Sequence, residues 1–363
     1  MAIDPAFKHT YAIIMAGGSG TRFWPLSRRK RPKQLLTLFG RNSLLEQTVA
    51  RIQPAVPLDR IYIFTSEPIL KEVRRLFPRI PSSQIVGEPA SRNTAPTLGV
   101  AAQEIVRRDP DGLMVVLPSD QIIAKIGVFR QVLRTACRVA STPGRSVVLG
   151  LKPTRPDTGF GYIRLGRREG IAAGHEVFRV VNFTEKPTLA AARHYVASGR
   201  YLWNGGMFIW KASTLIENFE RFQPDMARQM RQIADAGGIN SRAFGRLYSK
   251  FQKISIDYAL MEKISDIYAV PADIGWNDVG SWAVAYELSK HDSTENVRPG
   301  ASLCFDSQGN MVVSPHKFVV MVGVKDLVVV DTDDALLVCA RDRSQDVGKA
   351  VQQLERLRRD DLL

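Results

Sequence analysis

Residues Gly17, Gly18, Gly20, Thr21, Arg22 and Lys33 stand within 17 positions of one another, directly after the apolar run "YAIIMA" (Tyr11–Ala16). Glycines allow close backbone approach, and successive N–H groups can then cradle an anion's oxygens. Arginine adds a planar fork of donors and lysine a point charge, a combination suited to phosphate. Two familiar phosphate loops do not fit. No Gly-Lys-Ser/Thr follows the glycines, and Phe23 stands where a dinucleotide fingerprint needs its third glycine. The run "RRKRPK" (Arg28–Lys33) could alone be a nucleic-acid patch, but its place after a glycine loop favours a small anionic ligand.

The elements that must hold such a loop can be read from periodicity. Short apolar runs, "YAIIMA", "RIYIFT", "QIVGEP", "LMVVLPSD" and "SVVLGL", alternate with amphipathic stretches such as "NSLLEQTVARIQ", which has Asn42 at its start, and "NTAPTLGVAAQEIVRR". This predicts an α/β fold: a Rossmann-like, mostly parallel mixed sheet with helices on both faces. Ligands of such sheets bind beyond the carboxyl ends of the strands. The glycine loop, "GEPASRNTAP" and "LPSD" all lie at such ends and are expected to share one cleft. After Lys152 paired strands are expected in "GFGYIRLG" and "VFRVVNFTEKP", then a strand in "YLWNGGMFIWKA". The turn-rich "KHDSTENVRPG" divides a domain of residues 1–290 from a small strand-rich C-terminal domain, 291–363, that ends in a helix. No repeat of fixed period is evident.

The totals narrow the class. The chain has 363 residues, 45% hydrophobic, with a formal net charge of +14. No apolar run reaches the roughly 18 residues of a membrane span. "MAIDPAFKHT" lacks the basic and apolar regions of a signal peptide. Three dispersed cysteines, Cys137, Cys304 and Cys339, point to buried thiols in a reducing, cytoplasmic setting. The five histidines are scattered and form no metal motif.

"GGSGTRFWPLSRRKRPKQLL" resembles the signature of the sugar-phosphate nucleotidylyltransferases, and "FWPLS" and "PKQ" resemble their mannose-1-phosphate guanylyltransferase branch. The similarity continues through "EPASRNTAP", "LPSDQII", "GFGYI", "FTEKP", "YLWNGGMFIW", "SIDYALMEK" and "GWNDVGSW", in the family's order over nearly the whole chain. It implies transfer of GMP from GTP to mannose 1-phosphate with Mg²⁺, giving GDP-mannose and pyrophosphate, in a homodimer that needs neither membrane nor nucleic acid. A single activity is expected, without the isomerase domain that many bacterial relatives carry. Gln121, Asn277 and Gly205 depart from the usual pattern beside expected ligands, and bear on fine tuning and sugar choice.

The chemistry is dominated by charge. Two like charges about 4 Å apart repel by roughly 4 kcal/mol at an effective dielectric of 20. The resemblance therefore implies nucleotide contacts at Gly17, Gly18, Gly20, Thr21, Glu88, Asn93 and Thr94, with Asn93 also a helix cap. Arg22 would hold the departing pyrophosphate and Lys33 the α-phosphate. Asp120 and Asp278 would supply carboxylates to Mg²⁺. Lys186 would bind the sugar's phosphate, with Glu185, Asn204 and Gly161 at the sugar. Other readings are the same chemistry on another sugar phosphate (a heptose 1-phosphate, for example), a non-catalytic regulatory homologue, and a nucleic-acid-binding protein.

Overall fold

In the computed structural model, residues 4–18, 20–298, 300 and 302–363 are described. They form two compact units. The first comprises residues up to Gly17, Thr48–Ser119 and Ile123–Trp276; the second comprises Gly18–Gln47, Asp120–Ile122 and Asn277–Leu363.

The first unit is built on a sheet of nine strands among the described residues. They are β1 (Thr10–Ala16), β2 (Ile61–Ser66), β3 (Ile85–Glu88), β4 (Leu113–Pro118), β5 (Ser146–Leu151), β6 (Gly161–Ala172), β7 (His175–Thr184), β8 (Tyr201–Lys211) and β9 (Ile267–Ala272). Their order across the sheet is β3-β2-β1-β4-β8-β5-β9-β7-β6, with β6 also pairing with β8. The first four strands are parallel, as is the β5–β9 pair. Strand β8 runs antiparallel to both β4 and β5, and β6 and β7 form an antiparallel pair.

Both alternating sets of β1 side chains are buried: Tyr11 and Ile13 with one set, Ala12 and Ile14 with the other. Successive side chains point to opposite faces, so both faces are covered, which is why these strands read as unbroken apolar runs. Tyr11 and Ile13 share a core with Ala95, Leu98 and Ile105 of the helix Thr94–Arg108 and with Phe219 and Met230 of the helices that follow β8. That helix starts where Asn93 caps it, its side chain accepting from Thr94 N at 2.9 Å. The helix expected to start at Asn42 runs over Leu44–Ile52. Its cap is Ser43, whose backbone N–H and hydroxyl donate to Glu46 at 2.7 and 2.6 Å while Glu46 N–H returns to the hydroxyl. This reciprocal box satisfies two backbone donors at once.

The second unit holds a short solenoid. Strand β10 (Ser302–Phe305) pairs in parallel with β12 (Val319–Val322), and β11 (Met311–Val313) with β13 (Leu327–Asp331). Strand β14 (Leu336–Ala340) closes it antiparallel to β13, and the helix Val347–Arg356 follows. Partners are 17 residues apart at 302 and 319, at 308 and 325, and at 311 and 328, so the coil has a period that residue types do not reveal. Asparagines stitch its turns. Asn310 donates to Asn296 at 3.0 Å and to Val324 O at 3.1 Å, and accepts from Leu327 N at 2.9 Å. Both asparagines are fully buried, so each of these bonds replaces water that folding removed. Trp282, Phe23, Leu36 and Val279 pack with Val328, Val330 and Val347 into one core.

Candidate active site

Within the second unit, Gly20, Thr21, Arg22, Phe23, Lys33, Asp120, Gln121, Asp278 and Gly280 line a pocket of about 320 Å³. The chain reaches it through two single 3₁₀ turns, Thr21–Phe23 and Lys33–Leu35. Gly20 has φ +59°, and a Cβ there would lie 2.2 Å from the Lys33 Cβ and 2.9 Å from its backbone N. Only glycine meets both demands, so the glycine loop seats the lysine. Lys33 is buried, and its ammonium donates to Asp120 Oδ2 at 3.0 Å and to the Asp278 carbonyl at 2.6 Å. The Phe23 ring lies 6.0 Å from its Nζ. Gly348, in the helix Val347–Arg356, leaves room for Thr21 and Arg22: its absent Cβ would come 3.7 Å from the Thr21 hydroxyl and 3.8 Å from the Arg22 Cγ.

The rest of the basic run is engaged elsewhere. Arg28 pairs with Asp334 at 2.7 Å and donates to the Leu362 carbonyl; Arg29 meets Asp360 at 2.6 Å and Glu355 at 3.4 Å. These arginines fasten the loop that carries Lys33 to the end of the second unit.

Two further groupings belong to the first unit. Glu88, at the end of β3, accepts from Tyr248 OH at 2.6 Å and from the Thr97 hydroxyl, and those two oxygens are 2.9 Å apart. Burial raises the Glu88 pKa, and the two hydroxyls oppose the rise. Gly17 lies against it, since a Cβ there would be 3.0 Å from Glu88 Oε2. Thr94 is occupied by the fold: its hydroxyl accepts from Ile256 N at 2.8 Å. For Gly18, no atom comes within 4 Å of the place a Cβ would take.

The second grouping follows β7. Glu185 is largely buried beside Lys186, whose Nζ is 3.7 Å from its Oε1. Gly161 makes the space: a Cβ there would lie 2.4 Å from Glu185 Oε2. Burial, and then the Asp257 carboxylate, push the Glu185 pKa up to about 7 against the pull of Lys186. Asn204 donates to Asp257 Oδ1 at 2.9 Å, and its Oδ1 accepts from Gly206 N at 2.9 Å. Glu262 Oε1 accepts from Glu185 N at 3.1 Å. Lys186 has φ +47°, a costly conformation for a side-chain-bearing residue.

A family model described as "Nucleotidyl transferase" matches residues 11–295, well over half of the chain. The chain belongs to the nucleotidyl transferase family. A second model, "MannoseP isomerase/GMP-like beta-helix domain", matches residues 300–354, the solenoid. The nucleotidyl transferase chain is 41% identical over 348 residues to the xanthan biosynthesis protein XanB of Xanthomonas campestris pv. campestris (strain B100), covering 94% of this chain and 73% of the relative. It is 38% identical to a mannose-1-phosphate guanylyltransferase of Escherichia coli, over 96% of this chain and 74% of the relative. A solved structure from Thermus thermophilus, described as a mannose-1-phosphate geranyltransferase, matches with TM-score 0.86 and 35% identity, over 96% of this chain and 99% of that one.

Sequence reasoning on this nucleotidyl transferase did not single out Thr97, Tyr248, Asp257 or Glu262. Asp257 and Glu262 lie in "SIDYALMEK", which carried the family resemblance without residue roles. Their signal is structural: Asp257–Met261 form a π-helical turn, a form frequent at functional sites. Tyr248 and Thr97 had no signal, because only packing brings them to Glu88.

Proposed function

We propose that the chain transfers GMP from GTP to mannose 1-phosphate, releasing GDP-mannose and pyrophosphate. The observation that carries this reading is the pocket in which Gly20, Thr21, Arg22 and Lys33 meet Asp120 and Asp278. Relatives at 38% identity named mannose-1-phosphate guanylyltransferases support the choice of substrates. In this reading the backbone of Gly17, Gly18 and Gly20 and the Thr21 hydroxyl meet the triphosphate. Arg22 neutralises the pyrophosphate as it departs. Lys33, held by Asp120 and the Asp278 carbonyl, sits where charge builds at the α-phosphate. The buried Glu88 carboxyl suits the N–H edge of guanine, with Asn93 and Thr94 shaping that segment. Lys186 anchors the sugar's phosphate, and Glu185, Asn204 and Gly161 form the sugar subsite.

Mg²⁺ fits the donor set. Asp120 and Asp278 are hard oxygen donors lining one pocket, and Gly280 keeps space beside them, since a Cβ there would lie 2.9 Å from Asp278 Oδ2. Among the described residues no cluster of three His, Cys, Asp or Glu could hold a metal, so phosphate oxygens and water would complete the shell. The ion would add positive charge against the phosphates. No side chain needs to act as general base. A phosphate monoester has its second pKa near about 6, so the nucleophilic oxygen is already ionised at neutral pH.

On this reading residues 1–290 carry the chemistry and 291–363 support them, in a cytoplasmic homodimer. Among the described residues no helix is long and apolar enough to cross a membrane. The exposed apolar side chains Leu303, Phe305, Val320 and Val322 suit a contact with a second copy. The test is pyrophosphate release over a grid of nucleoside triphosphates and sugar 1-phosphates with Mg²⁺. GTP with mannose 1-phosphate should give the highest kcat/KM. A heptose 1-phosphate or another nucleotide ranking first would overturn the assignment, as would no release with any pair.

A further inference from the structure

The turn beginning at Asp257 grips both proposed sugar contacts. Asp257 Oδ1 takes one N–H of the Asn204 amide at 2.9 Å, and Glu262 Oε1 takes the backbone N–H of Glu185 at 3.1 Å. The Asn204 amide is thus pinned at both ends, because its Oδ1 accepts from Gly206 N at 2.9 Å. Flipping the amide would set its oxygen against a carboxylate and its NH₂ against an N–H, so only one orientation survives. One N–H of Nδ2 remains. The place a Gly161 Cβ would take lies 3.5 Å from that nitrogen and 2.4 Å from Glu185 Oε2. A donor and an acceptor therefore converge on the space that glycine leaves open.

We propose that Asp257 is a positioning residue for the sugar: it fixes the Asn204 amide so that one sugar hydroxyl can donate to Glu185 and accept from Asn204. The inference rests on the reading of Glu185 and Asn204 as sugar contacts. Asp257 itself stands behind the amide and acts through it. A second consequence follows from charge. The titratable groups facing Glu185 are Asp257 and Glu262 on the turn and Lys186 on its own segment. Asp257 makes the Glu185 carboxylate harder to form, and Glu185 must be ionised to accept the hydroxyl proton.

The test compares Asp257→Ala with Asp257→Asn in the full chain. Mannose 1-phosphate binding is read by calorimetry, and kcat and KM by pyrophosphate release, from pH 5.5 to 8.5. Asp257→Ala should raise the sugar Kd and KM by roughly tenfold or more, because an orienting hydrogen bond is lost. GTP affinity and kcat should stay within about threefold. Asp257→Asn keeps an oxygen that can accept the same N–H, so it should regain most sugar affinity at pH 8. With the neighbouring charge gone, its loss of affinity on acidification should move to lower pH than in the wild type. An unchanged sugar KM in Asp257→Ala overturns the inference, as does an unshifted pH profile in Asp257→Asn. Should the alanine variant fail to fold, judged by its melting curve, the asparagine profile decides alone. A wild type that releases pyrophosphate yet binds no sugar 1-phosphate, or is inert with all of them, overturns the reading of the sugar subsite itself.

Discussion

The Lys33 pocket and the Glu185 cluster solve opposite electrostatic problems. In the first, a buried cation is held between Asp120 and a backbone carbonyl, and glycine backbone sets its position. In the second, the carboxylates Glu185, Asp257 and Glu262 gather around one exposed lysine, and burial sets their protonation. The first is suited to a highly charged ligand and depends on where the chain can bend. The second is suited to hydroxyls and depends on which proton stays where.

The largest effect should come from breaking the first region's backbone. Gly20→Ala adds a Cβ 2.2 Å from the Lys33 Cβ at a positive φ, so Lys33 must move. Turnover should fall by roughly a thousandfold, since a 1 Å misplacement can already cost about a hundredfold. A variant of normal melting temperature and normal rate would show that the pocket tolerates displacement. Next is Lys33→Met, expected to lower kcat roughly a hundredfold with a smaller change in GTP affinity, because the charge it meets is greatest in the transition state. A raised GTP KM at constant kcat would make it a ground-state contact.

Asp120→Asn and Asp278→Asn should each raise the Mg²⁺ concentration needed for half-maximal rate about tenfold or more, since losing even a partner that only orients a metal ligand costs that much. An unchanged Mg²⁺ titration would remove that residue from the metal's shell. The smallest effect sharpens the second region through stability. The Glu185 pKa lies near 7 in the fold against an ordinary 4.5, so the folded chain holds a proton that the unfolded chain releases between those values. Stability should therefore decline as pH rises from 4.5 to 7, by on the order of 3 kcal/mol at most from this group. Glu185→Gln should flatten that slope and be the more stable protein at pH 8. Parallel melting curves at every pH would place Glu185 in water instead.

The same contrast explains what residue patterns revealed. The nine-stranded sheet was legible because strands buried on both faces are apolar without interruption. The phosphate pocket was legible because its backbone demands glycine at Gly20 and its chemistry demands Arg22 and Lys33 close in sequence. The Glu185 cluster was half legible. Glu185, Lys186, Asn204 and Gly161 sit in quotable motifs, whereas Asp257 matters through a hydrogen bond to a residue 53 positions away. Asn93 and Thr94 were read as nucleotide contacts or caps, and the fold uses both side chains on its own backbone. The solenoid's period stayed hidden because its turns repeat backbone register rather than residue type.

That register has a consequence for how the chain's length can change. Parallel partners 17 residues apart mean that adding or removing one such segment shifts later strands by one whole turn of the coil. Val312, Met321 and Val329 would still face inward, and a further asparagine could take its place in the stack. A single-residue insertion within a strand would turn that strand's apolar set toward water. Over this stretch length is quantised: whole rungs are tolerated, and fractions of a rung are not.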